Sequence, residues 1–188
     1  GRLVPLRPYA DDEASPDPIE AVILRRGSPR RFSEESISFA ELSTVMDRAL
    51  QPIPADFLDS ARRSLSDPYL IVNNVDGLTP GAYFFHRDRR ALELLEAGQF
   101  DMMAGHLGLD QALPADASVD IFFMADLDSV LESFGNRGYR AAQLEASIAA
   151  GRVYLAAYAQ RLGATGLTFY DDSVTDFFSP HAEGKSVM

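Results

Sequence analysis

The chain has 188 residues, 46% of them apolar, enough for one domain with a single well-buried core. Its 17 basic against 28 acidic residues give a formal net charge of -11, which argues against a nucleic acid or an anionic membrane as partner. With no cysteine, disulfides, thiolate zinc sites, iron–sulfur clusters and thiol nucleophiles are excluded.

The three histidines, His86, His106 and His181, are scattered without metal-ligand spacing, so no metal is expected, and the first two read as ordinary surface or half-buried side chains. No apolar run is long enough to span a bilayer, and no basic-plus-apolar leader opens the sequence. The expectation is a soluble, acidic, cytoplasmic domain.

Residues 1–15 hold two prolines and an acidic run and read as an irregular lead-in. Ser15-Pro16 then supplies an N-cap and a first-turn proline, with Ile19, Val22 and Ile23 at helical spacing up to about Arg26 and a stop at Gly27. In "SISFAELSTVMDRAL", Ser38 and Glu41 form a capping box ahead of the stripe Leu42, Val45, Met46 and Ala49. Tyr69–Val72, Ala82–Phe85 and Ala91–Leu95 read as strands of an antiparallel meander, with turn residues dense in "VDGLTPG". Val119–Ala125 ("VDIFFMA") is apolar but for Asp120 and reads as another strand, buried on both faces.

Helices return near Asp126. The longest is expected over Gly138–Leu162, with Leu144, Ile148, Gly151, Leu155, Tyr158 and Leu162 as its buried seam. Glu145, beside that seam, is expected to pair within the helix with Arg140 or Arg152. "GATGLTFY" reads as turn plus strand and "DSVTDFF" as a short capped helix, while Lys185–Met188 looks like the start of one more strand. The order gives an α+β fold around a mixed or antiparallel sheet, with residues 16–188 as one domain that stops short of its last strand.

"LRRGSPRRF" (residues 24–32) places four arginines within seven residues of an acidic chain. They admit two readings: a solvated helix end paired with Glu20, Glu34 and Glu35, or a phosphate cage completed by a serine hydroxyl and backbone N–H groups at a glycine-bearing turn.

"VILRRGSPRRF" followed by "ISFAELSTVM" resembles the opening of the nitroreductase-like FMN-dependent oxidoreductases. "VNNVDGLTPGAYFF" is similar to a strand-turn-strand of the SagB-type dehydrogenase branch, and "RGYRAAQLEASIAAGRVYLAAYAQRLGATGLTFYDD" to its long helix and following strand. The resemblance runs from Ile19 to Lys185. It implies an intertwined homodimer binding FMN and a small-molecule substrate, with NADH or NADPH as electron donor and hydride passing through flavin N5. It also implies that Arg26, Ser28 and Arg30 hold the flavin's phosphate and ribityl chain, and that Thr168, Phe169 and Tyr170 run beside the isoalloxazine ring. Tyr139 and Arg140 match the family's Tyr-Arg pair, read as anchoring the long helix.

The sequence departs from that pattern in three places. The flavin-contacting motif before the first strand has no clear match in Ala55–Pro68, where Arg62, Arg63 and Ser64 are the available substitutes. The Lys-Tyr pair of azoline-oxidising members falls on Ser133 and Phe134, neither of which can serve as general base or phenolic acid. Among the last basic contacts to phosphate only Lys185 remains, and it reads as a surface lysine. These departures keep a second reading open: a degenerate, flavin-free domain used for dimerisation or scaffolding, as one half of a longer tandem protein.

Overall fold

The computed structural model describes residues 1–13, 15–58 and 64–188. In chain order the elements are β1 (Arg2–Pro5), α1 (Ile19–Arg25), β2 (Ile37–Ser38), α2 (Phe39–Ala49), β3 (Asp67–Val72), β4 (Val75–Asp76), β5 (Gly81–His86), β6 (Ala91–Ala97), α3 (Asp101–Leu107), α4 (Ala112–Ala115), β7 (Val119–Ala125), α5 (Leu127–Phe134), α6 (Arg137–Ala159), α7 (Asp171–Phe178) and β8 (Ser186–Val187). Six strands form one sheet in the order β1-β6-β5-β3-β7-β8, with every pair antiparallel. The short β2 and β4 make a separate parallel pair.

Alternation along β3 divides the core. Leu70 and Val72 face Met46 and Ala49 of α2 and Ala146 and Ala149 of α6, whereas Tyr69 and Ile71 face Leu107 of α3 and Val174 and Phe178 of α7. The molecule is therefore an α/β/α sandwich about an antiparallel sheet, which is the α+β class. The Ser38 hydroxyl accepts from the Glu41 N–H and the Glu41 carboxylate accepts in turn from the Ser38 N–H, so the capping box fixes the start of α2 as expected.

Several elements differ from the sequence reading. The lead-in is not wholly irregular: Arg2–Pro5 pairs with β6 at the edge of the sheet, where Pro5 costs no interior hydrogen bond. Helix α1 begins three residues after Pro16, with Pro18 rather than Ser15 at its N-cap, and the Ser15 hydroxyl accepts from the Asp17 N–H instead. Residues 162–170 form no strand, and β7 takes β8 as its neighbour instead.

Helix α6 buries Ala142, Glu145, Ala146, Ala149 and Ala157, leaving Leu144 of the expected seam 52% exposed and Gly151 on the surface. Alanines let α6 approach the sheet and α2 closely, so the larger apolar side chains fall on its other side. Tyr139 and Arg140 are exposed at the start of α6, and the Tyr139 hydroxyl accepts from Gln143 on the same helix.

Candidate functional site

The C-terminal half of α6 gathers the two stretches singled out in the sequence. Tyr154 takes the Arg26 guanidinium over its ring, 5.3 Å from the centroid, and its hydroxyl accepts from the Gly166 N–H. Residues 162–166 also pack on the loop after α1: a Cβ added to Gly163 would lie 3.4 Å from Pro29 and 3.5 Å from Phe32. Arg26 thus sits at the same helix end as Gly166, two residues before Thr168.

The four arginines separate into two kinds. Arg25 is structural, bonded 2.8 Å from Asp17 and donating at 2.8 Å to the Tyr158 carbonyl, while Arg161 holds the same Asp17 carboxylate at 2.9 Å. Arg26, Arg30 and Arg31 are exposed and form no ion pair among the described residues, so the expected pairing with Glu20, Glu34 and Glu35 is absent. Ser28, between them, is exposed as well.

Of the segment expected to run beside a flavin, Thr168 and Phe169 line a cleft of about 490 Å³ bounded by β7, α6 and residues 32–37. Phe169 meets Phe122 edge-on at 6.5 Å. Tyr170 points elsewhere: its hydroxyl donates at 3.0 Å to Asp110, whose other oxygen lies 2.7 Å from His106 Nδ1. Those bonds, the one from His106 first, hold the Asp110 carboxyl below the usual carboxylate range. The sequence offered no sign of this His106–Asp110–Tyr170 cluster, because a turn with Leu109 and Asp110 both at positive φ creates it.

Other expected pairings are replaced. Glu145 makes no intrahelical ion pair. It is 2% exposed, accepts from Ser64 at 2.9 Å and from Ser66, and lies 3.6 Å from Arg87. Lys185 is no free surface lysine: it is bonded to Asp67 and lies over the Tyr69 and Phe84 rings. Burial alone would lower the Lys185 pKa, but the Asp67 carboxylate outweighs it and the ammonium is raised. His86 meets Glu93 at 2.6 Å across the β5–β6 hairpin. Ser133 bonds back to Ser129 on α5, where Phe134 packs against a small apolar cluster. Arg62 and Arg63 lie outside the described residues. Among the described residues, no cluster of histidine and carboxylate side chains could hold a metal, and no helix is long and apolar enough to cross a membrane.

A model of the nitroreductase family matches residues 23–181, from the end of α1 to beyond α7. The chain belongs to the nitroreductase family. A Methanocaldococcus jannaschii protein named as a nitroreductase is 23% identical to this family member over 171 residues, covering 84% of this chain and 82% of the relative. A solved structure described as a nitroreductase from Anabaena variabilis superimposes with a TM-score of 0.85 at 26% identity. That match covers 99% of this chain but 40% of the Anabaena chain, so this chain spans about two-fifths of that relative's length.

Two further likenesses show the fold alone. A Ralstonia eutropha structure described as a nitroreductase gives a TM-score of 0.75 at 18% identity, covering 100% of this chain and 86% of its own. A chain of the E. coli microcin synthetase McbBCD complex, solved with truncated pro-MccB17 bound, gives 0.72 at 16%, covering 87% and 66%. The family's fold is the one found here, an antiparallel sheet between helical layers.

Proposed function

We propose that this nitroreductase-family chain is an FMN-dependent oxidoreductase of the SagB-type branch, with residues 16–188 as its single domain. The observation that carries the reading is the trio Arg26, Arg30 and Arg31, three guanidinium groups without carboxylate partners among the described residues of a chain of net charge -11. Three guanidinium groups close together on one loop make a local positive patch, and a phosphate monoester suits guanidinium forks. Arg26, Ser28 and Arg30 would hold the phosphate and ribityl chain, with the backbone of Thr168, Phe169 and Tyr170 beside the ring and the Tyr170 side chain turned away to Asp110. Tyr154 supports this arrangement by touching both the arginine loop and the approach to Thr168. The flavin, when bound, supplies hydride transfer through N5 between NADH or NADPH and a small-molecule acceptor. The branch assignment is supported by the hairpin "VDGLTPGAYFF", in which Gly77 adopts φ 84°.

The test is an absorption spectrum of the purified chain after FMN is added and the excess removed by desalting. Flavin bands near one per chain are the expected outcome, and a colourless protein overturns the reading.

A second reading, a flavin-free domain of the same fold, is favoured by one observation. Ser64 and Lys185, the groups available to replace missing flavin contacts, are already bonded to Glu145 and Asp67. Under either reading the chain forms a homodimer. Support comes from the apolar side chains turned outward on α1 and α6: Ile19, Ile23, Leu24 (87% exposed), Tyr139 and Leu144. Each such side chain buried in an interface contributes about 1.5–3 kcal/mol. The double substitution Leu24→Asp, Leu144→Asp is therefore expected to convert a dimer to a monomer in light scattering at micromolar concentration. An unchanged dimer mass places the interface elsewhere.

A further inference from the structure

With no cysteine in the chain, the thioethers of its five methionines are its only soft donors. Met46 and Met124 are fully buried, and Met188 packs against two of the apolar clusters. Met102 and Met103 differ: they are adjacent on α3 and 78% and 39% exposed, where methionine is ordinarily buried. Helix α3 lies across the sheet from α6, so the pair is apart from the outward apolar face of α1 and α6. Neither methionine lines the 490 Å³ cleft, to which α3 turns Ala104 instead.

His106 follows Met103 by three residues and Met102 by four, so the three side chains are neighbours on one helix face. The imidazole Nδ1 lies 2.7 Å from one Asp110 oxygen, and the other Asp110 oxygen accepts from the Tyr170 hydroxyl at 3.0 Å. A carboxylate can only accept, so Nδ1 carries the proton and Nε2 the lone pair. That Nε2 has no hydrogen-bond partner among the described residues, and the His106 side chain is 52% exposed. Metal-ligating histidines are held in this way, with one ring nitrogen donating to a carboxylate and the other free for the ion.

We propose that Met102, Met103 and His106 form a surface site for copper(I), bound by two thioether sulfurs and Nε2, with Asp110 and Tyr170 fixing the imidazole. Thioethers are soft donors that select copper(I), and imidazole suits the same ion. Three rotatable bonds in each methionine let the sulfurs close on it. Zinc lacks its ligand set here, because no three histidine or carboxylate side chains stand together among the described residues. The site shares no residue with the arginine loop, so a chain that takes up no FMN leaves the assignment standing.

The test is an anaerobic titration of the chain, labelled with carbon-13 at its methionine methyls, with tetrakis(acetonitrile)copper(I). Of the five methyl resonances, those of Met102 and Met103, assigned by Met102→Leu and Met103→Leu, are expected to shift and saturate at one equivalent. The buried Met46 and Met124 methyls should stay in place, in the parent and in every variant, and so report an intact fold. Asp110→Ala is expected to weaken the metal by about tenfold, the usual effect of losing a histidine's carboxylate partner, and His106→Ala by no less. One equivalent of zinc(II) should leave all five methyls unmoved. Met102 and Met103 methyls that do not shift at one equivalent of copper(I), an affinity unchanged in His106→Ala, or an equal response to zinc(II) overturns the proposal.

Discussion

The double variant Arg26→Ala, Arg30→Ala is expected to lose FMN on desalting while keeping its fold. Both side chains are exposed and neither forms an ion pair among the described residues, so their removal strands nothing. Surface changes of that kind cost within about 0.5 kcal/mol each, which moves the melting midpoint by no more than about 4 °C for a chain of this size. A phosphate loses much more. Hydrogen bonds to charged groups contribute about 1.5–3 kcal/mol each, so two lost guanidinium contacts weaken FMN by at least about 100-fold.

Riboflavin, which lacks the phosphate, is the internal control: its weak binding should be the same in parent and variant. Arg25→Ala is the opposite control. It should destabilise the chain, since Arg25 bridges Asp17 and the Tyr158 carbonyl across from α6. Stoichiometric FMN retained by the Arg26, Arg30 variant would falsify the phosphate assignment and leave the flavin, if bound, held by other groups.

What the sequence revealed follows how locally each feature is determined. The capping box of Ser38 and Glu41 depends on residues three apart, and α2 starts where it predicts. Val119–Ala125 is apolar but for Asp120, and β7 has those bounds. The face of α6 was less legible because the helix carries two apolar stripes. One holds Leu144, Ile148 and Leu155, and the other the small Ala142, Ala146 and Ala149. Periodicity favours the larger side chains, but a helix packed close to its own sheet and α2 buries the smaller ones. β1 was hidden because a proline-bearing edge strand has no local signature, and residues 162–170 misled because a β-prone run is a strand only when a partner edge is free.

Within the candidate site, the arginine motif was readable as a charge anomaly. His106, Asp110 and Tyr170 were not. Each is an ordinary residue in sequence, and only the turn after α3 brings them together.

Glu145 shows the same limit and yields the largest expected effect on stability. Its carboxylate is enclosed by Ser64, Ser66 and Arg87, and Arg87 also donates at 3.0 Å to the Leu50 carbonyl after α2 and at 3.2 Å to the Ser66 carbonyl. One buried acid therefore ties α6 to the end of α2, the β5–β6 turn and the residues leading into β3. Burial pulls the Arg87 pKa down, with Glu145 acting in the opposite direction, so removing the acid leaves a poorly solvated cation behind.

Glu145→Ala is expected to lower the unfolding free energy by about 3–5 kcal/mol, measured from urea midpoints at constant slope. Adding Arg87→Met should recover part of that loss, because the stranded charge disappears with its partner. A loss under about 1 kcal/mol, or strictly additive single variants, would show that the network is not coupled. The consequence reaches the site. Ser64 and Ser66 lie in Ala55–Pro68, where the sequence has no clear match to the family's second flavin motif, and here they are committed to Glu145. Ser64 and Ser66 therefore serve the core, and under the proposed reading phosphate affinity rests on the loop after α1.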